Sequence, residues 1–342
     1  MRCTLLRCLA QAFLLAALLP PLDARPLQVF FIDVEGGQST LIVSPSGQSL
    51  LIDTGWRGFE GRDADRIQRA AKAGGVKKID YLLITHYHRD HVGGVRQLAD
   101  LMKIGNFVDH GPNTEDSRTT KEDYADYIKI MQRGEHMVAK PGDTVPVKGL
   151  TVNVLTAAGQ HLQTPLPGAG QPNPFCASTP KRGADPTENA QSLGVLITLG
   201  DFRMLDLGDL TWNKELDLMC PNNPIGTVDV LLVSHHGLNQ SNSPALVHAV
   251  HPRVAIMNNG AKKGGSPDAW QIVKDSPGLE DLWQLHYALD GGKEHNVPDP
   301  FIANVDEQSD GNFIKLTAES NGSFTVYNQR NKYQKVYKAS GK

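Results

Sequence analysis

Apolar residues along this chain fall mostly into short, nearly continuous runs, punctuated by glycine, proline and serine, rather than into long helical stripes. Residues 28–34, 40–43 and 49–52 form three such runs, separated by Gly36-Gly37 and by Ser44-Pro45-Ser46-Gly47. Runs of that length with turn residues between them predict an antiparallel meander. Helical spacing over 63–73 then stops at Gly74-Gly75, as a helix C-terminus does. A buried strand is predicted over 81–84, then a histidine-rich loop, a helix over 95–103, a strand over 106–108 and a helix over 121–132. The second half repeats this manner, with strands over 150–155, 192–199, 203–207, 228–233 and 254–257 and helices over 212–218, 244–249 and 268–274. Between the halves, residues 157–188 are rich in proline and glycine and lack periodicity, which predicts a loop insertion. With no repeat and no break in composition, residues 25–342 read as one α+β domain of two similar halves.

The N-terminus departs from that pattern. Arg2 and Arg7 precede an apolar run over 9–19, followed by Pro20-Pro21 and the small residue Ala24. A basic start, an apolar stretch too short to span a bilayer and a small-residue exit predict a signal peptide over 1–24, hence a secreted or periplasmic protein with no membrane attachment after cleavage. Cleavage would remove two arginines and one aspartate, shifting the net charge from −3 to −4. That mild acidity gives no basic footprint for a stable nucleic-acid complex. Cys3 and Cys8 would leave with the signal, and Cys176 and Cys220 would remain. In an oxidising compartment these two either pair or stay as buried thiols.

Chemistry concentrates in Thr85-His86-Tyr87-His88-Arg89-Asp90-His91-Val92-Gly93-Gly94. His86 and His88, two apart in an extended loop, can aim at one ion, and Asp90 and His91, a turn further on, at a second. Imidazole nitrogens with a carboxylate suit zinc, and manganese or iron also accept the set. Gly93-Gly94 lets the backbone pass close to the site. Upstream, Asp53 ends a strand and is placed to orient a ligand histidine. His110, also after a strand, is a candidate for the edge of the site.

The His-x-His-x-Asp-His loop, preceded by Asp53-Thr54-Gly55, resembles the metallo-β-lactamase superfamily. That resemblance implies a four-layer αββα sandwich with metals at one edge, and extends over nearly all of 25–342. It implies Asp209, in Leu207-Gly208-Asp209, as a bridging ligand, and His235 as a further one, with His236 beside it. Within the superfamily, Asp33-Val34-Glu35-Gly36-Gly37-Gln38-Ser39-Thr40, Ser44-Pro45-Ser46-Gly47 and Ser234-His235-His236-Gly237 resemble the soluble hydrolase domain of bacterial competence DNA-uptake channels. Asn189, ahead of a Ser-Leu strand, resembles the same branch. Two departures stand out. A Pro-Gly-His is replaced by Ala158-Gly159-Gln160-His161, so Asn189 or His161 takes that position. A late His-Pro is replaced by Gly265-Ser266-Pro267, so His286 or His295 is the substitute.

These residues imply an exported metal-dependent hydrolase holding Zn2+, either two ions or one held firmly and one weakly, with Mn2+ or Fe as alternatives. Asp90 and Asp209 are its catalytic residues: Asp209 bridges, and Asp90 orients the attacking water and moves its proton. A phosphodiester or other ester is the expected substrate. A lactam or lactone hydrolase and a metal-binding scaffold without turnover are the alternatives. Lys262-Lys263 reads as a solvated turn, with contact to a substrate phosphate as the other reading.

Overall fold

The structure, a computed structural model, describes residues 25–340, so the signal-peptide reading at 1–24 lies outside the described residues. The meander forms as its turns predict: Leu27–Phe31, Thr40–Val43 and Ser49–Ile52 pair antiparallel in sequence. The sheet then continues in parallel through Ile79–Leu83, Ile104–Asp109 and Glu135–Val138. On its other side Leu27–Phe31 pairs with Ile314–Ala318, followed by Phe324–Asn328 and Gln334–Tyr337. A second sheet runs in the order Ile302–Asn304, Asp281–His286, Val254–Met257, Val230–Leu232, Phe202–Asp206, Gly194–Leu199, Thr151–Ala157 and Gln160–His161.

The near-continuous apolar runs follow from burial on both faces of these strands. In Leu27–Phe31, Val29 and Phe31 face the second sheet with Val152, Val195 and Met204. Phe30, between them, packs under the helices with Ile67, Leu98 and Tyr127. Helices Arg62–Ala73, Val95–Leu101 and Arg118–Met131 cover the outer face of the first sheet. Trp212–Met219, Pro244–Val250 and Pro267–Lys274 cover that of the second, where Leu205, Leu231 and Ala255 pack beneath Leu218, Leu246 and Val273. The layers are therefore helix, sheet, sheet, helix, as an αββα sandwich requires. Among the described residues no helix is long and apolar enough to cross a membrane.

The structure also differs from the sequence expectations. The helix expected over 121–132 starts at Arg118, because the Ser117 hydroxyl accepts the Thr120 N–H and caps it. The first strand stops at Phe31, and Ile32–Val34 continue as buried irregular chain toward Gly36. No strand is expected after residue 274, yet five form there among the described residues. Ile314–Ala318 and Phe324–Asn328 alternate buried and half-buried residues, a weaker apolar signal than that of the central strands.

The 157–188 insertion is mostly irregular, with a two-residue strand at Gln160–His161 and another at Gln171–Pro172. It is tied down by a disulfide between Cys176 and Cys220, 44 residues apart, which joins it to the end of helix Trp212–Met219. Closing a loop of that length restricts the unfolded chain by about 4 kcal/mol in the loop-entropy account. A Cys176→Ser/Cys220→Ser double variant is therefore expected to lose about that much stability in urea unfolding. Reductant should destabilise the wild type by a similar amount and leave the variant unchanged.

Candidate metal centre

Asp53 follows strand Ser49–Ile52 in a left-handed conformation (φ 61°), and its N–H donates to the Leu83 carbonyl at 2.9 Å. Its fully buried carboxylate accepts the Thr85 N–H (2.8 Å), the Thr85 hydroxyl (2.7 Å) and His91 Nδ1–H (2.7 Å). Because a carboxylate here can only accept, His91 carries its proton on Nδ1 and turns Nε2 the other way. His86 and His88 lie in extended chain as expected, and the chain then makes a helical turn, Arg89–Val92, which brings Asp90 and His91 around beside them. Gly93 and Gly94 permit the tight return: a Cβ would lie 2.1 Å from the Arg89 carbonyl oxygen or 2.2 Å from that of Thr54.

Asp209 reaches the same place from the second sheet, just past Phe202–Asp206 and the left-handed Gly208. His235 and His236, past Val230–Leu232, both adopt positive φ, 54° and 55°. Asp90, His91, Asp209 and His236 bring one ligand atom each to within 4.8 Å of one another. His91 Nε2 lies 3.2 Å from His236 Nε2, 3.2 Å from Asp209 Oδ2 and 3.3 Å from Asp90 Oδ2. A second pocket adjoins it, where His86 Nε2 faces His88 Nδ1 at 3.1 Å, with Asp209 Oδ2 3.9 Å from His86. Asp209 Oδ2 thus lies beside both pockets, and its Oδ1 is buried without a hydrogen bond.

Electrostatics favour a cation in this space. Glu115 accepts His88 Nε2–H at 2.8 Å, which leaves Nδ1 as a lone pair. The Thr85 hydroxyl gives its proton to Asp53, so it can only accept from His86 Nδ1–H, 3.1 Å away. Two imidazole lone pairs therefore face each other, an arrangement that repels unless a cation lies between them. Burial, with His91 and His88 nearby, holds the His86 imidazole well below its ordinary pKa, and burial pushes His235 down to about 4. Around His91 burial is outweighed by Asp209, Asp90 and Asp53, which raise it well above the ordinary value. This pocket demands positive charge, which a proton on His91 or a metal ion supplies.

The Asp33–Thr40 segment forms one wall. The Gln38 amide donates to both carboxylate oxygens of Asp206 (3.1 and 3.0 Å), its N–H donates to the Asp90 carbonyl, and Ser39 Oγ donates to that of Asp53. Two further side chains reach the site without a ligand motif to announce them. Glu115 lies in a loop without a motif, and its role is visible only once His88 is placed. Lys263, read as a solvated turn, instead has its ammonium on Asp90 Oδ2 and 4.8 Å from the Trp56 ring centre. Only Lys262 keeps to the surface, paired with Glu307.

The other candidates separate. His236, expected beside the site, joins the four-residue group, whereas His235, expected as the ligand, lies outside it. His235 has Nε2 3.4 Å from Asp209 and Nδ1 3.3 Å from the Ser241 hydroxyl. Asn189 is buried in a helical turn with its carbonyl oxygen unpartnered. His110 is buried and donates to Glu188 at 2.9 Å, which orders the turn carrying Asn189. His161 pairs across from Thr156, and His295 packs edge-on against Trp270, neither in the four-residue group.

The family model described as Metallo-beta-lactamase superfamily matches residues 32–172. Recombination protein 2 of Haemophilus influenzae is 25% identical over 264 residues, which is 76% of this chain and 28% of that protein. ComE operon protein 3 of Bacillus subtilis is 26% identical over 253 residues, 68% of this chain and 28% of that one. The chain thus spans under a third of these two relatives. Among solved structures, the metallo-beta-lactamase fold protein YhfI of Bacillus subtilis aligns with a TM-score of 0.42 and 14% identity, over 76% of this chain and 85% of that one.

His286 belongs to a different group. Its Nε2 donates to Asp33 Oδ1 at 2.7 Å, while Asp33 Oδ2 accepts from Arg66 (2.8 Å) and the Ser309 hydroxyl (2.7 Å). Glu35 also meets Arg66, at 3.1 Å. This group already contains its cation in Arg66, and it clamps the wall segment to the first helix and the C-terminal loop. Burial alone would raise the Asp33 carboxyl, but His286, Arg66 and Ser309 outweigh it and hold it below the ordinary value. Asp33→Asn is expected to cost about 3 kcal/mol at neutral pH, as breaking a buried pair does. A carboxyl lowered by folding contributes fully above its unfolded pKa of about 3.9 and loses that contribution as pH falls further. Urea unfolding should therefore show the gap between wild type and variant intact at pH 7 and shrinking below about pH 4.

Proposed function

We propose that the chain, whose residues 32–172 match the Metallo-beta-lactamase superfamily model, is an exported metal-dependent hydrolase of that superfamily acting on phosphodiester or other ester bonds. The observation that carries the reading is the convergence of Asp90, His91, Asp209 and His236, with Asp53 and Glu115 fixing the tautomers of His91 and His88. The donors fit a borderline divalent ion such as zinc, with manganese and iron accepting the same set. His86, His88 and Asp209 would hold one ion, and Asp90, His91, Asp209 and His236 the other.

Such ions, when bound, supply a water acidified toward neutrality and a Lewis acid for the scissile group's oxygen. The chain's own residues do the rest. Asp53 and Glu115 keep the ligand imidazoles in one tautomer and one orientation, so no reorganisation is needed as charge develops. Asp90 lies at the open side of the group, its side chain 9% exposed against 2% for Asp209, and is placed to take a proton from the attacking water and return it to the leaving group. Burial of His86, His91 and Asp209 keeps bulk water from their lone pairs.

Likeness to Recombination protein 2 supports the phosphodiester choice. The Cys176–Cys220 disulfide, with the basic-then-apolar start of the sequence, supports export to an oxidising compartment.

Dialysed against Zn2+ or Mn2+, the protein is expected to retain two ions and to hydrolyse bis-(p-nitrophenyl)phosphate, with EDTA abolishing turnover. His88→Ala should reduce kcat/KM at least a hundredfold, and Asp53→Asn should weaken metal binding by about 10- to 100-fold while the fold persists by circular dichroism. Turnover of a chromogenic cephalosporin in place of the diester would overturn the ester reading. A metal-replete protein inert on diester, ester and lactam alike would overturn the hydrolase.

A further inference from the structure

Lys262 and Lys263 are neighbours in sequence with opposite surroundings. Lys262 is 68% exposed and meets Glu307, whereas Lys263 is 30% exposed and turns inward onto Asp90. The loop that carries Lys263 is tightly built. Gly260 N–H donates to the Lys263 carbonyl at 2.8 Å, closing the turn. Gly265 N–H donates to the His236 carbonyl and Ser266 N–H to that of Gly237, both at 2.9 Å. The loop also presses directly on the backbone beside it: a Cβ on Gly36 would lie 2.8 Å from the Lys263 carbonyl oxygen, and one on Gly264 2.1 Å from that of His236. The lysine is therefore anchored to the His236 turn and to the Asp33–Thr40 wall, so its stem starts from a fixed point.

Its ammonium stands on Asp90 Oδ2, the same oxygen that faces His91 Nε2 at 3.3 Å and His236 Nε2 at 3.1 Å. That oxygen is the donor Asp90 offers to the four-residue group. Two cations on one carboxylate oxygen repel at close range, in surroundings where water screens them little. By contrast, no hydrogen bond or ion pair joins Lys263 to His86 or His88, and its ammonium is held by Asp90 and Trp56. We infer that Lys263 is a built-in counter-ion of the Asp90 pocket that competes with the metal ion for Asp90, so that the two pockets hold their ions with unequal affinity. Occupation of the Asp90 pocket requires the ammonium to leave Oδ2, and the Trp56 face offers it a cation–π contact close by. The inference rests on the metal-centre reading above.

Metal titration separates the two claims. Calorimetric titration of the full metal-free chain with Zn2+ in a competing chelator, and with Co2+ followed by its visible absorption, should give two binding steps in the wild type. Lys263→Met should tighten the weaker step by about tenfold or more, the scale of a single competing contact, and leave the tighter one unchanged. Lys263→Arg, which keeps the cation, should stay within about threefold of the wild type, well inside that scale. Lys262→Met removes the same charge without touching Asp90 and should leave both steps unchanged, which separates contact from net charge. Thermal melting of each metal-free variant checks folding, and the shift in Tm on adding Zn2+ should be larger for Lys263→Met than for the wild type. Equal affinities for wild type and Lys263→Met, or equal tightening by Lys262→Met, would overturn the inference while leaving the metal centre standing. Absence of any binding step in the wild type would overturn the metal centre itself.

Discussion

The site depends first on the carboxylate of Asp53. It lies at the end of one strand, receives the backbone and hydroxyl of Thr85 at the end of the parallel neighbour, and still has an oxygen for His91. One buried group thus locks two strand ends together and chooses which nitrogen of His91 points inward. The Thr85 hydroxyl, committed to Asp53, in turn fixes the tautomer of His86. A charge buried this deeply is tolerated only because every oxygen it exposes is met by a donor. Placement of the ligands and stability of the strand ends are consequently the same interaction.

Four aspartates share the neighbourhood, and each handles its charge differently. Asp53 is satisfied by donors, Asp90 by Lys263 and two histidines, and Asp209 by the imidazoles around it. Burial would raise both Asp90 and Asp209, but these neighbours outweigh it and hold them well below the ordinary range. Asp206 is the exception. Burial and nearby Asp53 push it up to about 6, although it accepts from Gly208 N–H and the Gln38 amide. Asp206 therefore takes up a proton far more readily than the two aspartates that line the centre, which remain ionised.

Much of this was legible in the sequence because local rules produced it. The His-x-His-x-Asp-His spacing, the glycines behind it and Asp53 at a strand end are short-range patterns, and so are the apolar runs that became doubly buried strands. That His236 rather than His235 joins the four-residue group was not legible, because two adjacent histidines differ only in where a left-handed turn aims them. Glu115 and Lys263 were hidden for a related reason: each comes to the site along a loop whose path is set by contacts distant in sequence. The strands after residue 274 alternate apolar and polar residues in short pieces, a signal easily taken for irregular chain when the partner strand lies at the other end of the sequence.

That partnership has a consequence for the order of assembly. Leu27–Phe31 sits centrally in the first sheet, between Thr40–Val43 and Ile314–Ala318. The meander can form early from near neighbours, but its outer flank waits for Ile314–Ala318, far later in the chain. Closing so long a loop is slow, and contacts of this kind dominate folding time. Until then a strand edge stays open, and the nascent chain stays short of its finished, compact form. That open edge leaves the unfinished chain prone to aggregate.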